Sequence, residues 1–102
     1  IREMLMSVLG IQIPEVFSLY QNYPNPFNPT TMIQFHLPTD ESVSLTVYNI
    51  LGNTVMEPIK DIAYQTGTYS ILLDGSQLSS GVYYYTLRAG RYHKIRKMLV
   101  MK

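Results

Sequence analysis

The sequence predicts an all-β fold, and three observations carry that prediction. Apolar and polar residues alternate with period two in several short runs, clearest in "MIQFHL" and "VSLTV". Turn signals rich in Gly, Pro, Asn and Asp punctuate these runs at spacings of roughly 8 to 14 residues. Nine tyrosines stand beside three phenylalanines, and no stretch repeats its apolar residues at the 3.6 period of a helix. Together they point to an immunoglobulin-like β-sandwich of about seven antiparallel strands.

From the N-terminus, residues 1–16 show no clean period, and Pro14 and Glu15 break them from the first apolar run, so they read as an upstream linker or the end of a preceding region. The first residue is Ile1 rather than Met, the expectation for a fragment or a processed product. The opening "IREMLMSVLGIQI" lacks the basic start and small-residue cleavage site of a signal peptide. The sandwich is expected over residues 17–102, starting with a short run, "VFSLY", that would place Phe17 and Leu19 on one side. After the proline-rich stretch, Ile33, Phe35 and Leu37 face inward, with Gln34 and His36 outward. Pro38 to Glu41 supply the closing turn. Val43, Leu45 and Val47 form the next inward set. "LGN" then turns the chain into "TVMEPI", a hairpin partner that Pro58 confines to an edge or ends, because proline has no N–H for the ladder. Residues 60–66 are polar and expected to be irregular. Tyr69, Ile71 and Leu73 share one face of the next strand, and Leu78 tucks beneath a polar connection. In "GVYYYTLRAG", Tyr83, Tyr85 and Leu87 lie on one side and Val82, Tyr84 and Thr86 on the other. Gly90 supplies the turn into "YHKIRKMLVM", where Ile95, Leu99 and Met101 are expected inward and Lys94, Arg96, Met98 and Val100 outward.

Size and composition exclude several functions. One domain is expected from 102 residues, with little room for an enzyme cleft. Without cysteine there is no disulfide, thiolate metal site or thiol nucleophile. No apolar run approaches the roughly 20 residues of a membrane-spanning helix, so no membrane insertion is expected. His36 and His93 fall on different strands with no carboxylate pattern beside them. Asp40 and Glu41 form a pair in a turn, where acids serve solvation and capping. "DGSQLSSG" offers one carboxylate, too few for an oxygen-rich calcium loop. No catalytic residue, metal site or cofactor is expected. Alternation sends Tyr83 and Tyr85 away from Tyr84, which argues against a sugar-stacking platform. Residues 91–102 hold five cations and no acid, leaving three bases and seven acids, a net −4, on the other ninety. That is a weak footprint for nucleic acid, and no nucleic-acid partner is expected.

Two segments stand out. In "YPNPFNPTT", Pro24, Pro26 and Pro29 preset φ near −65° and push Tyr23, Asn25 and Asn28 into extended conformations, giving a stiff lead-in to the first core strand. Asn25 and Asn28 are expected to bond nearby backbone groups and Phe27 to plug the end of the sandwich. The other reading is a recognition loop that presents Phe27 to a partner. The second segment, Lys97, Met98, Leu99, Val100, Met101 and Lys102, ends an edge strand whose lysines and arginines deter edge-to-edge pairing.

The succession "FSLYQNYPNPFNPTTMIQFHLP", "VSLTVYNILGNTV", "GTYSILLDG", "LSSGVYYYTLRAG" and "KMLVMK" resembles the type A C-terminal sorting domain of the type IX secretion system of Bacteroidetes and related phyla. The resemblance runs from about Phe17 to Lys102. It implies a non-catalytic domain that directs an upstream cargo through the periplasm to the cell surface or the medium. The implied partners are an outer-membrane translocon and a sortase-like peptidase, which in many members removes the domain as the cargo is joined to a lipopolysaccharide anchor. It also implies that Lys97 to Lys102 form part of the signal the translocon reads, and places any cut within residues 1–16. Members often carry Trp where this chain has Leu73. A similar Pro-Asn-Pro opening occurs in the immunoglobulin-like domain of flagellar hook-capping proteins, so a structural assembly module is the alternative reading. A surface adhesive or carbohydrate-binding module is another, and would need an exposed tyrosine cluster.

Overall fold

The computed structural model describes residues 16–102. They form seven strands: β1 (Ser18–Leu19), β2 (Thr30–Leu37), β3 (Glu41–Tyr48), β4 (Thr54–Tyr64), β5 (Gly67–Asp74), β6 (Gly81–Ala89) and β7 (Tyr92–Val100). Two antiparallel sheets result, ordered β1-β2-β5 and β4-β3-β6-β7. The second strand pairs the fifth and the third pairs the sixth, as in immunoglobulin-like sandwiches. The linker expected over residues 1–16 lies, apart from Val16, outside the described residues.

Alternation builds the core. Ile33, Phe35 and Leu37 of β2, Val43, Leu45 and Val47 of β3, and Tyr83, Tyr85 and Leu87 of β6 are all buried. Phe17 and Leu19 are buried as well, and Leu78 lies buried in the connection before β6. Burying a large apolar side chain stabilises a fold by roughly 1.5–3 kcal/mol, so these facing rows supply the main attraction between the sheets. Around the buried ring of Phe35, Tyr64 meets Tyr69 edge-on at 4.7 Å.

The stretch expected to be irregular is strand. β4 continues to Tyr64, pairing Val43 with Ile62, Ser42 with Ala63 and Glu41 with Tyr64. Its polarity misleads because an edge strand is wet along one side and keeps its ladder through β3 alone. Register shifts carry it past Pro58, and Asp61 adopts the left-handed conformation at φ 49°. The Ser44 hydroxyl accepts the Asp61 N–H at 3.0 Å and anchors that irregularity. Between β6 and β7, Ala89 pairs with Tyr92, so Gly90 and Arg91 are the two turn residues, with Gly90 at φ +57°.

Candidate functional site

The structure brings the two singled-out segments together. β7 ends a sheet, and register explains why part of its outer edge is covered. Leu99 stands opposite Val82, yet its N–H and C=O point away from β6 toward residues 21–27. The Phe27 N–H donates to the Leu99 carbonyl at 3.0 Å, and the Met101 N–H donates to the Phe27 carbonyl at 3.0 Å, forming a parallel bridge between Phe27 and Val100. The Asn25 Oδ1 accepts the Leu99 N–H at 2.9 Å. The Gln21 side-chain amide donates to the Lys97 carbonyl at 2.7 Å. The proline-rich loop therefore serves as a short extra strand on the last strand of the sandwich.

The loop itself is held from behind. Asn22 is buried, and its side-chain amide donates to the Pro24 carbonyl at 3.2 Å and to Thr31 Oγ1 at 3.0 Å. The Thr31 hydroxyl donates to the same Pro24 carbonyl at 2.8 Å. From the core, the Tyr85 hydroxyl donates to the Tyr20 carbonyl at 2.7 Å and accepts the Asn22 N–H at 2.8 Å. Burial pushes this phenol up to about 12, against the opposing pull of the Asn22 N–H and the Arg96 charge. All three X–Pro bonds of the loop, at Pro24, Pro26 and Pro29, are cis.

Phe27 is the plug that turn mechanics predicted, 2% exposed, whereas Tyr23 four residues earlier is 81% exposed. The aromatic that faces outward is Tyr23. Behind Phe27 sits Gly75, where an added Cβ would come within 2.8 Å of the ring. The Gly75 N–H donates to the Pro29 carbonyl at 2.7 Å. Next to it, the Ser76 N–H and hydroxyl hold the Asp74 carboxyl below its usual range, with the Lys102 charge helping. Lys102 closes the group: its ammonium donates to the Ser76 carbonyl and its N–H to the Ser80 hydroxyl.

Two expectations need correction. Met98 and Val100 are buried, while Ile95 and Met101 are exposed and Leu99 is half-buried, the reverse of the predicted phase. Pairing with β6 decides it, since Met98 stands opposite the inward Tyr83 and Val100 opposite Gly81. Lys94 and Arg96 share the inward phase, but β1, the strand facing them, is only two residues long. Arg96 uses that gap to donate from Nε to the Leu19 carbonyl at 2.9 Å. Asn25, expected to bond within its own turn, instead serves β7. Lys97 is exposed on the outer phase, opposite Tyr84.

Of the three consecutive tyrosines, only Tyr84 reaches the surface. His36 is half-buried and lies 2.9 Å from the Thr68 hydroxyl. Among the described residues, no three His, Asp or Glu side chains gather as metal ligands. The sequence did not single out Gln21, Asn22, Thr31, Gly75 or Tyr85 as parts of this site; only the turn prolines marked the neighbourhood.

Compared with known families, the chain matches the model described as "Secretion system C-terminal sorting domain" over residues 21–101, a span holding the whole loop and nearly all of the last segment. No curated protein matches it.

Proposed function

The chain belongs to the secretion system C-terminal sorting domain family, and from that premise we propose that it is a non-catalytic type IX export signal read in its folded form. The cargo lies upstream. The domain crosses the periplasm with it, is bound by an outer-membrane translocon, and leaves the cargo at the cell surface or in the medium. A sortase-like peptidase cuts within residues 1–16, ahead of the sandwich. In this reading the chain is a substrate of the machinery and performs no chemistry.

The observation that carries the proposal is the parallel bridge between Phe27 and Val100. It places residues 97–102 on a fixed backbone, so the translocon meets a rigid surface made of two segments distant in sequence. Pre-ordered surfaces bind with less conformational loss than a loose peptide would. Met101 and Lys102 are exposed, as are Tyr23 and Asn25 in the loop.

The test is surface delivery of a reporter fused ahead of the chain in a host with a working type IX system. The intact chain is expected to bring the reporter to the surface. Chains lacking Met101 and Lys102, or carrying Gln21→Ala with Asn25→Ala, are expected to leave it in the periplasm while circular dichroism still reports a folded sandwich. If residues 97–102 alone, grafted onto an unrelated carrier, sort as well as the whole domain, the folded-form reading fails. If the intact chain leaves the reporter in the periplasm, the export assignment itself fails.

A further inference from the structure

The two sheets have four edge strands, and three of them are guarded against strand addition. β1 has only two residues. β4 carries Pro58, the left-handed Asp61 and register shifts, with Glu57 and Lys60 close by. β7 is paired by the loop at Leu99 and bears Lys94, Arg96 and Lys97 along the rest. Proline, bulges, shortness and lysine are the usual means of blunting an edge.

β5 has none of these. Its eight residues pair with β2 on one side only, and residues 67–73 carry no charge and no proline. Parity shows which groups it offers. Met32 exchanges both backbone bonds with Tyr23, and Gln34 gives its carbonyl to Tyr20, so on β2 these two residues point away from β5. Their partners Leu72 and Ser70 then form non-hydrogen-bonded pairs with them, and turn their own N–H and C=O groups outward from the sheet. Thr68 does the same by alternation. One row of the outer face leading to this edge is apolar: Tyr23, Met32 and Leu72 lie in register across the sheet, with Met32 42% and Leu72 64% exposed.

We infer that β5 is a self-association edge, at which a second copy of the chain adds its own β5 antiparallel. The occupant is argued from charge. Two copies of residues 67–73 meet no like charges, whereas the β4 and β7 edges would bring ionised side chains to the seam. Centred on Ser70, a two-fold pairing sets Ser70 against Ser70 of the second copy and each Thr68 against the other copy's Leu72. Three hydrogen-bonded pairs give about six main-chain bonds. The two three-stranded sheets become one six-stranded sheet, in which each exposed Leu72 lies beside the other copy's Thr68.

Sedimentation velocity of the 102-residue chain, over micromolar to millimolar concentration, tests this. Wild type is expected to move from monomer to dimer. Leu72→Lys places a charge on an exposed position of the seam, and Ser70→Pro removes a donor that faces away from β2. Each is expected to weaken association about tenfold or more. Near-ultraviolet circular dichroism should match wild type for at least Leu72→Lys, whose side chain is already in water. Amide exchange should slow at Ser70 and Leu72 as concentration rises. A wild type that stays monomeric throughout, a dimer unaffected by Leu72→Lys, or protection that appears on another strand overturns the inference.

Discussion

Phe27 and Val100 lie side by side in a parallel bridge, 73 positions apart in sequence. The bridge makes the loop and the last strand one mechanical unit, so substitutions in either should be felt in the other.

Asn25→Ala removes the acceptor of the Leu99 N–H at an exposed position, where water can replace it. A loss of about 0.5–1.5 kcal/mol is expected. The sharper readout is local. Amide exchange at Leu99 should accelerate well beyond that of the core strands, and equal rates in the two proteins would mean the side chain holds nothing.

Phe27→Ala empties a buried site at the end of the sandwich and should cost about 3–5 kcal/mol in urea unfolding. Unchanged stability together with lost export would instead make Phe27 a contact for the machinery.

Gly75→Ala presses a methyl group against the Phe27 ring, and overpacking of this kind costs about 1–3 kcal/mol. The two sites should couple: Phe27→Leu combined with Gly75→Ala should be more stable than the sum of the single changes predicts. Strict additivity in the double-mutant cycle would place the strain elsewhere.

Tyr85→Phe leaves the buried Asn22 N–H and the Tyr20 carbonyl without their shared partner, an expected loss of about 1–3 kcal/mol near neutral pH. The pH dependence comes from the raised phenol. Because the folded state holds this proton more tightly than the unfolded chain, the stabilisation is complete below pH 10 and is lost as pH rises toward about 12. Wild type should therefore lose more stability over that interval than Tyr85→Phe, measured by denaturant titration at stepped pH. Parallel curves would show that the phenol does not titrate against folding.

Alternation made β2, β3 and β6 legible because each buries one face and wets the other. It failed on β7, where Ile95 and Leu99 are apolar on one phase and Met98 and Val100 on the other. Only the register against Tyr83 and Gly81 settles which side is in. It failed on residues 60–64 because an edge strand can be polar and still be paired. The loop was legible as a stiff lead-in with a buried Phe27, since proline mechanics are local. Its attachment to Leu99 and Met101 was not legible: main-chain bonds leave no mark on residue type. Asn22 and Thr31 look like ordinary surface polar residues until the fold buries them.

The pairing of residues 21–27 with residues 97–101 also sets an order of events. A loop closed over more than seventy residues costs chain entropy and cannot form until its far end exists. A ribosome that has not yet made Val100 leaves Phe27 without its backbone partners, and a chain stopped a few residues early stays in that condition. Completion of this sandwich thus reports that translation ran through the last strand, and a machine that binds only the finished surface would pass over truncated products without any separate inspection.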